Sequence, residues 1–413
     1  MAPAQYDYRQ RIRFIIKLGR ALHECGATSE RIERHLGSVT GMLGIHGSFL
    51  VSPTTFTCAF WEDDELDQFV HIERVESSDY DFGRLWEIDQ FVESIELGKT
   101  NFGHALEELK RLNETPPNYS LPVDTSSWLL TGCCFATLLS SNPFNAFVAG
   151  LISVLIFLIV RQTSSKPAWK PVATIVGALA SGFIASVIAA AGLPINPALV
   201  VLSSIIIFIP GLALTVSLTE ISAGHLISGC SRLVDAVMTL LKLFFGAISG
   251  IALTRFFFDS VPQIFGNVGT LPDMPSWRVW PALVGLALTL GVAFNIPHKK
   301  VAWGVLAVLI AFSCATLGES HFGMFAGVFL GALAVGLYAN LFSRLTRGPG
   351  SILMTYGVIV LVPGSKVYSI LNQWVSGETI LPSQSGSTAL MAFVALTAGL
   401  LFSNAFLPAR KSL

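Results

Sequence analysis

Charge is scarce in this sequence of 413 residues. Lysine, arginine, aspartate and glutamate together make up 13% of the chain, whereas apolar residues make up 52%. Because soluble globular proteins carry about 25% charged residues, the composition excludes an ordinary soluble protein as a description of the whole chain. A formal net charge of -1 also removes the electrostatic basis for binding a nucleic acid.

Motifs of several common enzyme classes are missing as well. The sequence has no HExxH zinc-protease motif, no GxxxxGK[ST] phosphate-binding loop and no GxSxG nucleophile elbow. Its six cysteines form no CxxC pair and have no metal-ligand spacing, which is typical of buried thiols. We therefore expect no catalytic site, no metal and no cofactor, and in particular no ATP-driven pump.

The charges that are present concentrate in residues 1–124. Apolar spacings of three and four residues predict helices, and short β-branched or aromatic runs predict strands, so we expect a small soluble α+β domain. The first residues lack the apolar core of a secretory signal, which places this domain in the cytosol. In chain order the predicted elements are helices 10–24 and 28–43, strands 45–51, 54–61 and 68–75, and helices 82–97 and 101–113.

From Ser126 to Leu407 long apolar runs follow one another. A helix of about 20 apolar residues crosses a bilayer, and the sequence predicts about ten such helices. The predicted fold is thus an all-α polytopic membrane domain behind the soluble domain, with five helices in residues 125–257 and five in 279–407. The predicted spans are 125–141, 143–161, 171–193, 197–218, 232–257, 279–296, 301–317, 321–342, 351–375 and 386–407.

Lysine and arginine in the loops predict the orientation. If the N-terminus is cytosolic, almost all loop cations fall on the cytosolic side, and the opposite loops hold essentially Arg278. This is the positive-inside asymmetry, so we expect both termini in the cytosol and a multi-pass protein of the plasma or inner membrane, with the lipid bilayer as its partner. The cytosolic cations are Arg161, Lys166, Lys170, Lys299, Lys300, Arg344, Arg347, Arg410 and Lys411.

A Pro-Gly pair interrupts the fourth predicted helix of each set. Pro210-Gly211 lies in residues 197–218 and Pro363-Gly364 lies in residues 351–375. Because five is odd, the second set enters the membrane from the opposite side, and both pairs then lie about 20 Å along their helices, near the membrane middle. This pattern predicts an inverted-topology repeat, which is common among secondary transporters, rather than a simple proline kink.

Ionisable residues within the apolar helices are the candidates for a binding site. Lys242 is predicted near the midplane of the fifth helix, and Asp235 shares its helix face two turns away. Lys366 follows the second Pro-Gly pair by two residues. An ionisable side chain at this depth faces a cavity or a charged partner, so either a substrate site or a structural ion pair fits these residues.

We predict that this site lies between the fourth, fifth and ninth helices. Lys242 and Lys366 would bind a substrate carboxylate with Asp235 as the counter-charge, and carbonyls near Gly211 and Gly364 would accept from a substrate ammonium. Side chains predicted to recognise a small hydroxyl group are Thr215, Tyr368 and Ser369.

Glu220 and His225 are further candidates, for carrying protons, as is Asp235. Glu220 and His225 come at the predicted cytosolic end of the fourth helix, where a solvated loop residue is the favoured interpretation. Two glycine series, Gly246/Gly250 and Gly323/Gly327/Gly331, have the spacing of close helix contacts and predict packing rather than function.

The segments ALHECGATSERIERHL, IPGLALTVSLTEISAGHLISGCSRL and PGSILMTYGVIVLVPG resemble the threonine/serine exporter (ThrE-type) family, and the likeness covers nearly the whole chain. The resemblance implies export of small amino acids, driven by the proton gradient. Two-component members of the family are associated with succinate export, so a small dicarboxylate stays open as the substrate.

We therefore expect a secondary-active exporter whose partners are a small amino acid and protons, with alternating access at a midplane site, working as an antiporter. A channel or a membrane-embedded enzyme is the alternative from another class, since polar residues at midplane also line pores. The sequence leaves open a homo-oligomer.

Overall fold

A computed structural model of the protein describes residues 7–62, 67–76, 80–96, 102–116, 118–140, 142–258, 276–346, 348, 350–361 and 382–408. It consists of helices joined to one small sheet.

The N-terminal region, residues 7–113, combines four helices with a three-stranded sheet. The antiparallel strands lie in the order β1-β2-β3, and Ser48 pairs with Ala59 across the first two. The predicted order of helices and strands is confirmed. The elements are α1 (Tyr8–Glu24), α2 (Ser29–Met42), β1 (His46–Ser52), β2 (Thr55–Trp61), β3 (Phe69–Arg74), α3 (Phe82–Glu96) and α4 (Phe102–Asn113).

The inner faces of α1 and α2 form the core of this region. Leu18, Leu36 and Phe56 are fully buried, and Gly19 lies so close to Phe56 that an added Cβ would be 2.3 Å from its ring. The apolar spacing of three and four residues in α1 and α2 therefore marks the buried side, as expected from the sequence.

Eleven further helices are described in the remainder of the chain. Two of them begin at a proline preceded by an asparagine cap: Asn142 Oδ1 accepts from the Phe144 N–H at 2.9 Å, and Asn196 Oδ1 accepts from the Leu199 N–H at 3.2 Å. The helices are α5 (Leu121–Leu139), α6 (Pro143–Ser164), α7 (Ala173–Ala190), α8 (Pro197–Ser204), α9 (Gly211–Ser222), α10 (Leu226–Phe257), α11 (Ser276–Ala293), α12 (His298–Phe322), α13 (Met324–Thr346), α14 (Gly350–Leu361) and α15 (Pro382–Phe406).

Five helices of the described chain are long and apolar enough to cross a membrane, or six if α8 and α9 are one bent span. Three shorter apolar helices, Trp277–Ala293, Gly350–Leu361 and Leu390–Phe406, accompany them. The structure thus supports a multi-pass membrane protein, whereas ten full spans stay a prediction. The five spans are Pro143–Ser164, Lys170–Ala190, Leu226–Phe257, His298–Phe322 and Met324–Thr346.

Glycines allow α7 and α10 to approach closely. A Cβ at Gly250 would be 2.1 Å from the Leu179 carbonyl oxygen, and one at Gly246 would be 2.5 Å from that of Ile175. Between α12 and α13, Gly327 has the same role against the Ala315 carbonyl, at 2.6 Å. The predicted packing role is confirmed for these three glycines. For Gly323 it is wrong, because this residue ends α12 with a positive φ of 88° and a Cβ there would meet no atom within 4 Å.

Candidate functional site

The helix that carries Pro210 is broken where the sequence predicts. α8 ends at Ser204, a short 3-10 turn follows at Ile206–Phe208, and α9 begins at Gly211. The segment Ile206–Ser222 is bent by 55° relative to Pro197–Ser204. Proline has no N–H to donate and its ring clashes with the preceding turn, so the helix cannot run through this position. The interruption at Pro210-Gly211 is therefore confirmed.

The polar groups at the break already have partners within α9. The buried Thr215 hydroxyl donates to the Gly211 carbonyl at 3.1 Å, and the Pro210 carbonyl accepts from the Leu214 N–H at 3.0 Å. The carbonyls of Pro210 and Gly211 thus both accept hydrogen bonds from α9. A carbonyl oxygen has two lone pairs, so a substrate group at Gly211 would have to share or replace the bond to Thr215.

Lys242 and Asp235 both lie on α10, which packs against α7 and α9. Lys242 is half-buried and Asp235 is exposed. No ion pair of either residue occurs within the described chain, and the seven positions between them amount to about 10 Å of helix. Asp235 therefore does not contact Lys242 directly, as the predicted counter-charge would.

The second Pro-Gly pair and its neighbours lie outside the described residues. The helix that leads to them, α14, packs against α9, and so does α15. α9, which begins at the first break, therefore contacts the helix in which the sequence predicts the second one. The predicted residues concerned are Pro363, Gly364, Lys366, Tyr368 and Ser369.

Glu220 is buried, and its interpretation as a solvated residue is wrong. Only 3% of its surface is exposed. One carboxylate oxygen accepts from the backbone N–H of Ser29 at 3.0 Å, and the other accepts from the Ser228 hydroxyl at 2.9 Å and pairs with Arg232 at 3.1 Å. Charge-assisted bonds of this kind compensate the cost of burying a carboxylate.

We call Ser29, Glu220, Ser228 and Arg232 the Glu220 cluster. Ser29 is the first residue of α2, and its N–H is one of the helix-terminal donors that no intrahelical acceptor satisfies. Because Thr28 makes no side-chain cap, a carboxylate from α9 acts as the cap of α2 instead. The hydroxyls of Ser29 and Ser228 also bond to each other, at 2.6 Å, and Arg232 donates to the Ala27 carbonyl at 3.3 Å.

His225 lies beside the Glu220 cluster, in the turn between α9 and α10. Its Nδ1 is 3.7 Å from a carboxylate oxygen of Glu33 of α2, and the other Glu33 oxygen accepts from the Val51 N–H at 3.1 Å. Burial raises the pKa of Glu33. The two proton-carrier candidates Glu220 and His225 therefore both contact α2.

A second ionic cluster lies on the other side of α2. Asp89 of α3 pairs with Arg31 and with His35, each at 3.0 Å, and Arg31 also donates to the hydroxyl of Ser351 at the start of α14. Burial alone would raise the pKa of Asp89, but the charge of Arg31 and the hydrogen bond from His35 hold it well below its usual range.

The turn between α11 and α12 completes the contacts of the N-terminal region. Asn295, with a positive φ of 54°, donates from its side chain to Asp81 at 3.1 Å, and Phe82 donates its N–H to the Phe294 carbonyl at 3.0 Å. Asn118, after α4, donates to the Asn295 carbonyl at 2.8 Å. Asparagine tolerates this left-handed backbone, which turns its polar groups toward the N-terminal region.

Sequence reasoning did not find these contacts between the N-terminal region and the bundle. Periodicity assigns Ser29 and Arg31 to a helix terminus, and nothing local to Ser351 or Asn295 indicates a partner hundreds of residues away. Glu220 did carry a signal, because a carboxylate flanked by apolar residues requires a partner if it is buried.

Apolar helices of bilayer length, one of them interrupted before Gly211, indicate a multi-pass membrane protein. A family model described as "Putative threonine/serine exporter" matches residues 13–254, and one described as "Threonine/Serine exporter, ThrE" matches residues 282–406. The chain belongs to the threonine/serine exporter family, whose members are transporters and not enzymes.

Curated relatives agree with this assignment. A threonine/serine exporter of Corynebacterium glutamicum is 24% identical over 93% of this chain and 79% of its own length, and a probable threonine/serine exporter of Mycobacterium tuberculosis is 26% identical over 74% of the chain. Pheromone-regulated membrane protein 10 of Eremothecium gossypii is 24% identical over 86% of the chain.

The chain spans 58% of the length of the Mycobacterium relative and 48% of the Eremothecium one, about half. No solved structure matches the chain.

Proposed function

We propose that the protein is a secondary-active exporter of small amino acids of the threonine/serine type, driven by the proton gradient and located in the plasma or inner membrane. Transport proceeds by alternating access at a site near the membrane middle. The observation that carries this proposal is the helix break at Pro210-Gly211, in a chain of the exporter family. A broken helix at midplane depth is the usual way in which secondary transporters build a substrate site.

The contacts of the N-terminal region support ten spans with a cytosolic N-terminus. They fall between α6 and α7, where Lys170 pairs with Glu76, and then around Glu220, Asn295 and Ser351. Between any two successive contact points lie two helices, with α8 and α9 counted together. The chain therefore returns to one side of the bundle after every second helix, which is what single crossings by each helix would produce.

The proposed repeat has five helices in residues 125–257 and five inverted in residues 279–407, behind a soluble domain of residues 1–124. The contact of α9 with α14 supports it, because sites of inverted-repeat transporters lie at the interface of the two repeats, where equivalent broken helices can meet. The second repeat would bring Pro363-Gly364 to the same depth as Pro210-Gly211.

The proposed substrate site lies where α9 and α10 meet the ninth predicted helix, residues 351–375, which α14 begins. Lys242, half-buried and without an ion pair in the described chain, supplies a positive charge for a substrate carboxylate, together with Lys366. An unpaired charge in a membrane interior is costly, so a lysine of this kind indicates a charged ligand or a wet cavity. The substrate ammonium would meet carbonyls at the two breaks, and Thr215 would exchange its bond to Gly211 for one to a substrate hydroxyl.

Counterflow in proteoliposomes tests this proposal. We expect purified protein to accelerate the entry of labelled threonine or serine into vesicles loaded with the unlabelled amino acid, with saturation, and a proton gradient to drive net export. Faster counterflow with succinate than with either amino acid would show that the substrate is a small dicarboxylate instead of an amino acid. Flux that does not saturate would indicate a channel and would overturn the carrier mechanism.

A further inference from the structure

The first turn of α2 contacts two separate groups of membrane helices. Ser29 bonds to Glu220 of α9 and Ser228 of α10, and two residues later Arg31 donates to Ser351 of α14. One helical turn thus links the α5–α10 group with the α11–α15 group. Any relative movement of the two groups on this side must break one of the two links.

Besides the bond of Arg31 to Ser351, the contacts of the N-terminal region with the second group are largely apolar and include aromatic pairs. Phe82 and Phe294 have centroids 5.0 Å apart, Trp86 and Phe342 have centroids 6.1 Å apart, and Trp86 also covers Gly348. Separating these contacts would expose apolar side chains to water, which is unfavourable and is not compensated by new hydrogen bonds. The N-terminal region is therefore held firmly to α11–α14.

The link to the first group is made by the Glu220 cluster, by the pair of His225 with Glu33 and by the exposed pair of Lys170 with Glu76. Its carboxylates, hydroxyls and guanidinium exchange protein partners for water when the contact opens, so the net cost of opening is much smaller than the strength of the bonds themselves. Of the two links, the polar one separates at the lower cost.

The helix break gives α9 a lever arm. Glu220 lies nine residues after Gly211, about 13 Å along α9, and the break leaves α9 without a continuous helical connection to α8. A rotation of about 15° at the break moves Glu220 by about 3.5 Å, more than the length of a hydrogen bond. A modest swing of α9 is thus enough to release Ser29.

We propose that the Glu220 cluster is a latch that closes the cytosolic side of the transport path. The N-terminal region stays with α11–α14, and α9 swings away from α2 about the Pro210 break when the path opens to the cytosol. This inference rests on the proposed function, because an alternating-access carrier must open on that side in each cycle.

A reversible cross-link tests the latch. Ser29→Cys with Ser228→Cys, in a protein whose six native cysteines are replaced by alanine, places two thiols where the hydroxyls are 2.6 Å apart. We expect the oxidised protein to export at least tenfold more slowly than the reduced protein, and reductant to restore the rate. The matched control is Ser48→Cys with Ala59→Cys, which joins β1 to β2 and should leave export unchanged on oxidation.

Full export by the cross-linked latch would overturn the proposal. A second measurement does not depend on transport: hydrogen exchange of residues 29–33 should rise at least tenfold in Glu220→Ala, and in the milder Ser228→Ala to a smaller extent, while residues 82–92 keep wild-type protection. Equal loss of protection in both segments would show that the N-terminal region detaches as one unit, against the latch. If wild-type vesicles export no amino acid, the proposed function fails, whereas the exchange measurement still decides for or against the latch.

Discussion

Single charged residues in this protein are held by partners from distant parts of the chain. Glu220 is stabilised by Ser29, which precedes it by almost half the sequence, and Arg31 reaches Ser351. Each of these side chains sits near the end of a helix, where unsatisfied backbone groups and charges are available for pairing. Charge burial at these places therefore fixes the position of the N-terminal region on the bundle.

Asp89 should make the stability of the N-terminal region dependent on pH. A carboxylate with a lowered pKa adds stability above its unfolded value of about 3.9, and this stability is lost as the pH falls through the folded pKa. We expect Asp89→Asn to lower the free energy of unfolding at pH 7 by about 3–5 kcal/mol, because Arg31 is left buried without its counter-charge.

Tryptophan fluorescence during unfolding of the detergent-solubilised protein measures this change. The difference in the free energy of unfolding between wild type and Asp89→Asn should narrow below about pH 4, because protonation of Asp89 in the unfolded state then reduces the stability that its ion pairs contribute. The control Glu24→Gln removes an exposed pair with Arg20 and should cost less than about 1 kcal/mol. An Asp89→Asn variant as stable as wild type at pH 7 would contradict the role given to Asp89.

Lys242→Met and Lys366→Met should each abolish export and leave expression and membrane insertion intact. The reason is the loss of the positive charge that binds the substrate carboxylate, and uptake into counterflow vesicles measures it. Lys242→Arg should rescue poorly because a planar guanidinium does not replace a point charge. Lys170→Met, at an exposed pair with Glu76, is the matched control and should export normally. Normal transport by both methionine variants would make these lysines structural.

At the scale of elements, local signals in the sequence were reliable and long-range contacts were not. The asparagine caps at Asn142 and Asn196 and the interruption at Pro210 follow from backbone chemistry within four residues, so they could be predicted. Burial of Glu220 depends on α2 meeting α9, which no periodicity encodes. Local backbone chemistry was likewise enough to assign the candidate site to particular helices. The partners of its side chains could not be predicted, because they come from distant parts of the chain.

Helix pairing between α7 and α10 gives a prediction at this scale. Gly250→Ala should destabilise the protein or reduce its folded yield, since a Cβ there lies 2.1 Å from the Leu179 carbonyl and forces the two helices apart. Gly37→Ala on the exposed side of α2, where no atom lies within 4 Å, should instead stabilise by about 0.5–1 kcal/mol. Thermal midpoints in detergent compare the two, and equal midpoints would contradict the packing role of Gly250.

At the scale of the whole molecule, the N-terminal region covers one end of the bundle and contacts successive turns on it. The turns around Glu220, Asn295 and Ser351 belong to both groups of helices, so the region is placed to sense their relative position. A binding module that served only to recruit a partner would not need buried ionic contacts to both groups. This arrangement favours a role in gating over one in assembly.

The proposed topology predicts which turns face the cytosol. Single cysteines at Lys166 and Lys299 should react with a membrane-impermeant maleimide only after permeabilisation, because the lysine-rich turns stay inside. Cysteines at Leu193, in the turn after α7, and at Phe322, the last residue of α12, are at exposed positions and should react in intact cells. One helix separates Lys166 from Leu193, and two helices separate Lys166 from the Glu220 turn. If each helix crosses the membrane once, Lys166 and Leu193 therefore lie on opposite sides and label oppositely. Labelling of all four positions from the same side would contradict the ten-span topology, and with it the inverted repeat that places both Pro-Gly breaks at one depth.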